Sequence, residues 1–126
     1  MVRGLKELAE KDPNSSEFRE DFKKIMERII KANRDIIILS ELLDGQMCGY
    51  DLIKEIFSSS DVFLSQGTVY PILYSLEEEG LLRAEFSRGD MRTKNYSLTP
   101  KGREIAGRRM AEFIKAMENI VAMMKR

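Results

Sequence analysis

The stretch SQGTVYPILYSLEEEGLLRAEFSRGDMRTKNYSL, residues 65 to 98, decides the architecture of this chain. Val69, Ile72, Leu73 and Leu76 stand at i, i+3, i+4 and i+7, so a helix here turns one apolar stripe to a core and leaves its other side free. The free side carries Gln66, Thr68, Tyr70, Pro71 and Tyr74, none of them charged. Ser65 or Gly67 caps the start. A start near Gly67 leaves Pro71 within about a turn of the N-terminus, where backbone donors lack partners anyway. Gly80 ends the helix. Leu82, Ala84 and Phe86 then alternate with Arg83, Glu85 and Ser87 at the period of a half-buried strand, and Tyr96 and Leu98 supply the returning strand. The turn between them, Arg88-Gly89-Asp90-Met91-Arg92, is flanked by guanidinium groups. Helix, stop, two strands and basic turn predict a winged helix-turn-helix in a mainly α protein with a small β-wing.

Upstream, Asp12-Pro13-Asn14 offers helix-start chemistry, with either Asp12 ahead of proline or Asn14 with Glu17 as a capping box. A long helix is expected from there. Phe18, Phe22, Ile25, Ile29, Ala32 and Ile36 step by 4, 3, 4, 3, 4, the spacing of a heptad seam. Ile36 to Leu39 reads as helix continuing into SELLD, with Gly45 as its C-cap. Cys48 to Phe57 forms a second short helix, broken by Ser58 to Ser60 and Asp61.

Downstream, Thr99-Pro100 is an N-cap followed by proline at the first helical position, and the helix it opens runs without a stop signal to Arg126. Within it Ala106, Met110, Phe113, Met117, Ile120 and Met124 repeat the 4, 3, 4, 3, 4 step. This second seam packs either on the chain's own first helix or in a dimer whose first and last helices share a core. The resulting division is residues 1–33 as an N-terminal extension and helix, 34–98 as the winged domain, and 99–126 as a C-terminal dimerisation helix.

Composition excludes most other functions. The chain has no histidine and one cysteine, which removes the commonest general base and any zinc site of ordinary Cys/His spacing, so neither catalysis, a metal nor a cofactor is expected. Cys48, with no basic neighbour in sequence, reads as a small buried hydrophobe, the alternative being a redox sensor. No apolar run reaches the ~20 residues a bilayer requires, and the first residues lack a secretory signal, so a cytoplasmic protein without membrane contact is expected. The formal charge is zero, yet residues 31–80 carry a net −6 and residues 81–126 a net +6. The cations therefore gather behind the free-faced helix, where phosphate is expected.

GYDLIKEI (Gly49 to Ile56), SQGTVYPILYSLEEEGLL (Ser65 to Leu82) and YSLTPKG (Tyr96 to Gly102) together resemble the PadR family of transcriptional regulators, over roughly residues 35 to 105. The single C-terminal helix resembles the short subgroup of that family. The resemblance implies a homodimer with a C-terminal dimerisation helix, binding a palindromic operator as a repressor and released by a small-molecule effector. By position it puts Tyr50, Ser65, Thr68, Tyr70, Pro71 and Tyr74 at the DNA, with a wing at Arg88 to Lys94. The chain departs from the family in having Cys48 where histidine is common, in lacking tryptophan, and in carrying the extension 1 to about 33.

The expected interface with double-stranded DNA is thus Tyr50, Ser65, Gln66, Thr68, Tyr70, Pro71 and Tyr74, with Arg88, Arg92 and Lys94 on the flanking backbone. For Tyr70 and Tyr74 the alternative is lateral packing onto the first helix. The expected dimer seam is Phe18, Phe22, Ile25 and Ile29 with Met110, Phe113, Met117, Ile120 and Met124. Two other readings remain: a winged-helix protein-interaction module without DNA binding, and a sensor whose small-molecule pocket lies in the dimer core among its methionines.

Overall fold

The computed structural model describes residues 14–87 and 89–126, excluding the side chains of residues 90–92. Its elements are α1 (Ser16–Ala32), α2 (Arg34–Leu42), β1 (Met47–Cys48), α3 (Gly49–Ser60), α4 (Gln66–Glu78), β2 (Leu82–Ser87), β3 (Asp90–Leu98) and α5 (Pro100–Lys125). Asp12 lies outside the described residues.

The N-terminal helix is capped by Ser15, not Asn14. Its Oγ accepts from the Phe18 amide at 3.1 Å. Neighbouring residues here all have capping side chains, so composition cannot choose among them. The expected long helix is two helices jointed at Asn33, whose Nδ2 donates to the Ile29 carbonyl at 2.7 Å and whose backbone leaves the helical region (φ −133, ψ 36). A side chain that bonds nearby backbone gives the chain an alternative to helix, which is why the seam ends before Ile36. Ile36 belongs to α2.

Three helices make the core. Ile38, Leu39 and Leu42 of α2 meet Leu52, Ile53 and Ile56 of α3 and Val69, Leu73 and Leu76 of α4, joined by Val62, Leu64, Leu81, Leu82 and Tyr96. The serines do not end α3 at Phe57. Ser60 Oγ donates to the Ile56 carbonyl at 2.6 Å, and the helix closes only at Asp61, in the left-handed region at φ 63. Aspartate tolerates that conformation better than most residues.

The sheet has three antiparallel strands in the order β1-β3-β2, one more than the sequence suggested. Met47 pairs with Tyr96 and Cys48 with Asn95, on the edge of β3 opposite β2. Along β2 the register runs from Leu82 opposite Leu98 to Phe86 opposite Lys94, then shifts before Ser87 meets Asp90. The expected alternation fails at its far end, because Phe86 is half exposed although it shares a face with the buried Leu82. The helical layer covers only the base of the hairpin.

The last helix is seated on the end of α4. Gly80 (φ 78) and Leu81 close α4 with amides bonded to the carbonyls of Glu77 (3.0 Å) and Leu76 (2.9 Å), a Schellman cap with apolar Leu81 and Leu76 both buried. Thr99 then returns to the same turn, its amide donating to the Leu81 carbonyl (3.0 Å) and its hydroxyl to the Gly80 carbonyl (2.7 Å). The Thr99 hydroxyl also accepts from the Gly102 amide (2.9 Å) as the N-cap of α5. Lys101 Nζ donates to the Glu79 carbonyl at 3.4 Å, placing a cation at the C-terminus of α4, where the helix dipole and three glutamates favour one.

Beyond this seat α5 is uncovered. Its buried residues are Gly102 and Ala106, while Met110, Phe113 and Met117 are half-buried and Ile120 and Met124 exposed. The helix packs on α2 and β3. The chain's own α1 does not supply the cover, since its Phe22 and Ile25 are themselves more than half exposed (54% and 52%). Among the described residues no helix is long and apolar enough to cross a membrane.

Candidate nucleic-acid interface

The free side of α4 divides into separate faces. Tyr70 and Tyr74, one turn apart with ring centroids 6.2 Å from each other, look toward the wing and the start of α3. Pro71 is exposed but lies on another flank, beside Ile72, Ser75 and Glu79 in a depression that Asp35 of α2 and Arg109 of α5 also line. Pro71 is also deeper in the helix than expected. With Gln66 as first residue it stands sixth, so the bond its nitrogen would have made to Gly67 is lost, and the exposed Gly67 leaves that carbonyl to water. Ser65 and Gln66 are exposed at the start of the helix, and Ser65 Oγ donates to Thr68 Oγ1 at 3.1 Å.

A cleft of about 460 Å³ opens between α3, α4 and the wing, lined by Cys48, Tyr50, Tyr70, Tyr74, Phe86, Thr93, Lys94 and Tyr96. Tyr50 and Tyr74 form its rim, 58% and 50% exposed. Tyr70 goes deeper. Its ring lies directly against Gly49, where an added Cβ would stand 2.6 Å from Cζ, so a glycine at the start of α3 is what admits the tyrosine. Burial, followed by the nearby Cys48 and Tyr74, raises the Tyr70 pKa above the ordinary phenol value. Lys94 bridges helix and wing: its ammonium is 5.8 Å from the Tyr74 centroid and 5.8 Å from that of Phe86, within cation–π range of both. On the rim Lys54 sits 5.2 Å over the Tyr50 ring.

Of the residues expected at DNA, the fold brings Tyr50, Tyr70, Tyr74 and Lys94 into this one cleft. It separates them from Pro71. Arg88 and the Arg92 side chain lie outside the described residues. Two of the cations of residues 81–126 are engaged elsewhere: Lys101 on the α4 terminus, and Arg109 3.9 Å from Asp35 in an exposed pair that contributes little to stability. The sequence reading missed Cys48, Phe86, Thr93 and Tyr96. Cys48 is half-buried rather than core, and its Sγ caps α3 by accepting from the Asp51 amide at 3.4 Å. The available signal was the period of a strand: Lys94 and Tyr96 stand two apart on the returning strand, so placing Lys94 at the interface puts Tyr96 on the same face.

Tyr96 forms the floor, 1% exposed, and its hydroxyl has no hydrogen-bond partner among the described residues. Burial first, then Tyr74, Glu77 and Tyr70, pushes its pKa up to about 12. An unfolded tyrosine ionises near pH ~10, so between there and pH 12 the unfolded chain releases a proton that the folded chain keeps. Stability from this group is complete below pH ~10 and declines as pH rises through the window. Tyr96→Phe is expected to remove about 1.4 kcal/mol of that alkaline loss at pH 11 and, by deleting an unsatisfied hydroxyl, to be neutral or stabilising at pH 7. Chemical denaturation at pH 7 and pH 11 checks both; equal alkaline losses in the two proteins would contradict the assignment.

Among the described residues no group of histidine, cysteine and acidic side chains could hold a metal ion. The family described as "Transcriptional regulator PadR-like family" matches residues 38–108. Among solved structures the chain is similar to a PadR family transcription regulator from Clostridium difficile R20291, at 30% identity over 70% of this chain and 96% of that one, with a TM-score of 0.59. It is similar to a transcriptional regulator from Clostridium thermocellum at 26% identity, covering 78% of this chain and 96% of that one with a TM-score of 0.68. A PadR family regulator from Eggerthella lenta shares the fold at 20% identity, 86% and 96% coverage and a TM-score of 0.68. No curated protein matches the chain.

Proposed function

The chain belongs to the PadR-like family of transcriptional regulators, a DNA-binding family, and from that premise we propose that it is a cytoplasmic homodimeric repressor of a palindromic operator, without catalytic activity. The observation that carries this reading is the convergence of the α3 start, α4 and the wing on one open cleft that holds Lys94 and the phenol hydroxyls. A phosphodiester strand crossing between α4 and the wing would meet Lys94, Tyr50 and Tyr74, while Gln66 and Thr68 at the tip of α4 would reach base edges in the major groove. Arg88 and Arg92, assigned from the sequence alone, would contact the flanking backbone.

Dimerisation supplies the second copy that a palindrome requires. It is supported by the uncovered apolar groove on α5, about 490 Å³, lined by Phe113, Ile114, Met117, Glu118, Val121, Ala122 and Lys125. Phe18 and Phe22, stacked with centroids 6.3 Å apart and planes at 9°, head an equally uncovered stripe on α1. We assign α1 of the second copy to this groove. From Phe18 to Ile29 the stripe spans ~17 Å, close to the ~18 Å from Phe113 to Lys125.

Selection of bound duplexes from a random pool, followed by gel shift, tests the reading. A recovered two-fold sequence retained at nanomolar protein is expected, and recovery of no preferred sequence would refute it. With that duplex, Arg88→Ala/Arg92→Ala is expected to weaken binding to all sequences and to reduce the salt slope by about two, the loss of two phosphate contacts. An unchanged slope would remove the wing arginines from the interface.

A further inference from the structure

Three aromatic side chains from three different elements line the cleft and stay half exposed: Tyr50 of α3 at 58%, Tyr74 of α4 at 50% and Phe86 of β2 at 50%. One such ring on a surface is ordinary, whereas three around a single opening make a stacking surface. A cation accompanies each wall. Lys54, one turn beyond Tyr50 on the same helix, holds its ammonium 5.2 Å from the Tyr50 centroid, and Lys94, opposite Phe86 in the strand register, holds its own 5.8 Å from the centroids of both Tyr74 and Phe86. Each ammonium is thus kept beside a π face. Duplex DNA would use only half of this arrangement. Its bases are stacked on one another, so it offers the cleft sugar and phosphate but no base face. The Phe86 side chain, with no polar atom, has no hydrogen bond to give a phosphate.

We propose that the cleft also binds single-stranded DNA, with unpaired bases stacked on Tyr50, Tyr74 and Phe86 and the phosphates that flank them on Lys54 and Lys94. A single strand is a chain in which flat rings and anions alternate, and the walls of the cleft set rings and cations side by side in the same way. One ring–cation group lies on α3 and the other is shared by α4 and the wing, which suits two successive nucleotides. A small aromatic anion would occupy one group and leave the other unused. Every base has a π face, so this binding tolerates any sequence, unlike the reading of an operator. Strand and duplex use the same cleft and therefore exclude one another, so DNA opened into single strands draws the protein off the duplex. That exclusion rests on the DNA-binding reading, whereas the binding of a single strand does not.

The test uses the full chain, fluorescence anisotropy and two labelled strands of equal length: oligothymidine, which does not pair with itself, and its abasic counterpart, which keeps the sugars and phosphates without the bases. Wild type is expected to bind oligothymidine at least about tenfold more tightly than the abasic strand, within the range of one or two stacked bases. Phe86→Leu, which keeps an apolar side chain at an exposed position, is expected to weaken oligothymidine binding about fivefold and to leave the abasic strand unchanged. Lys54→Ala/Lys94→Ala is expected to weaken both strands and to lower the salt slope by about 1.4, the loss of two phosphate contacts on a single strand. Equal affinity of wild type for the two strands, equal weakening of both by Phe86→Leu, or a salt slope unmoved by the lysine variant would overturn the proposal. For the exclusion, oligothymidine is expected to release the selected duplex at concentrations where the abasic strand does not; a complex holding strand and duplex together would overturn it. If wild type selected no duplex, the DNA-binding reading would fail and the two strand affinities would still decide this proposal.

Discussion

Gly102→Ala is expected to destabilise the chain by about 3 kcal/mol or more, at the upper end of the cost of overpacking. An alanine Cβ at this position would stand on the Leu81 carbonyl, and that carbonyl is no flexible side chain that can swing aside. It is fixed twice over, by the α4 cap on one side and by the Thr99 amide on the other. To admit the methyl group, α5 must lift from its seat, breaking the Thr99 and Lys101 contacts to Gly80 and Glu79. Thermal unfolding with a circular-dichroism readout checks the magnitude. Gly107→Ala is the control, since nothing lies within 4 Å of a Cβ there and alanine favours helix. Equal stability of the Gly102 and Gly107 variants would mean that the seat is not rigid.

Met117→Glu is expected to turn a dimer into monomers that remain folded, and to lower operator affinity by at least about a hundredfold, because the second half-site is no longer bound intramolecularly. Met117 lies in the α5 groove with Phe113, Ile114, Val121 and Ala122, far from the three-helix core, so a carboxylate there stays in water in the monomer and is buried only if two chains associate. Sedimentation and gel shift check the two halves of the expectation. A dimer that survives the substitution would move the interface off this groove. A monomer with undiminished affinity would remove the need for two-site binding.

Much of the winged domain was legible because its signals are local. The stripe of Val69, Ile72, Leu73 and Leu76, glycine at the left-handed Gly80, and Thr99-Pro100 as a helix start are each fixed by the residues themselves. The reading failed where a partner distant in sequence decides the outcome. Met47 and Cys48 become a strand only because β3 offers an open edge opposite β2, and two residues carry no periodicity. Period-two alternation gave Phe86 its face but not the extent of the layer covering that face. The candidate site was half legible for the same reason. Tyr70 and Tyr74 were found from the helix alone. Tyr96 and Cys48 join them only through strand register, and Tyr70 enters the cleft because Gly49 leaves room for its ring.

The seat of α5 on the α4 cap has a geometric consequence. A 26-residue helix is a rod of ~39 Å, seated on the α4 cap and packed on α2 as far as Arg109 beside Asp35, which leaves a free arm of ~24 Å. Tilting that arm by ~8° swings its end through ~3.4 Å, one base-pair step of B-form DNA. Once two rods join along their far halves, the angle at each base sets how far apart two copies of α4 stand and how they are phased around the double helix. In the dimer proposed above, operator spacing would then be an angular quantity set at Thr99 to Gly102, and substitutions there that keep the fold are expected to change which spacing is read while leaving the bases in each half-site the same.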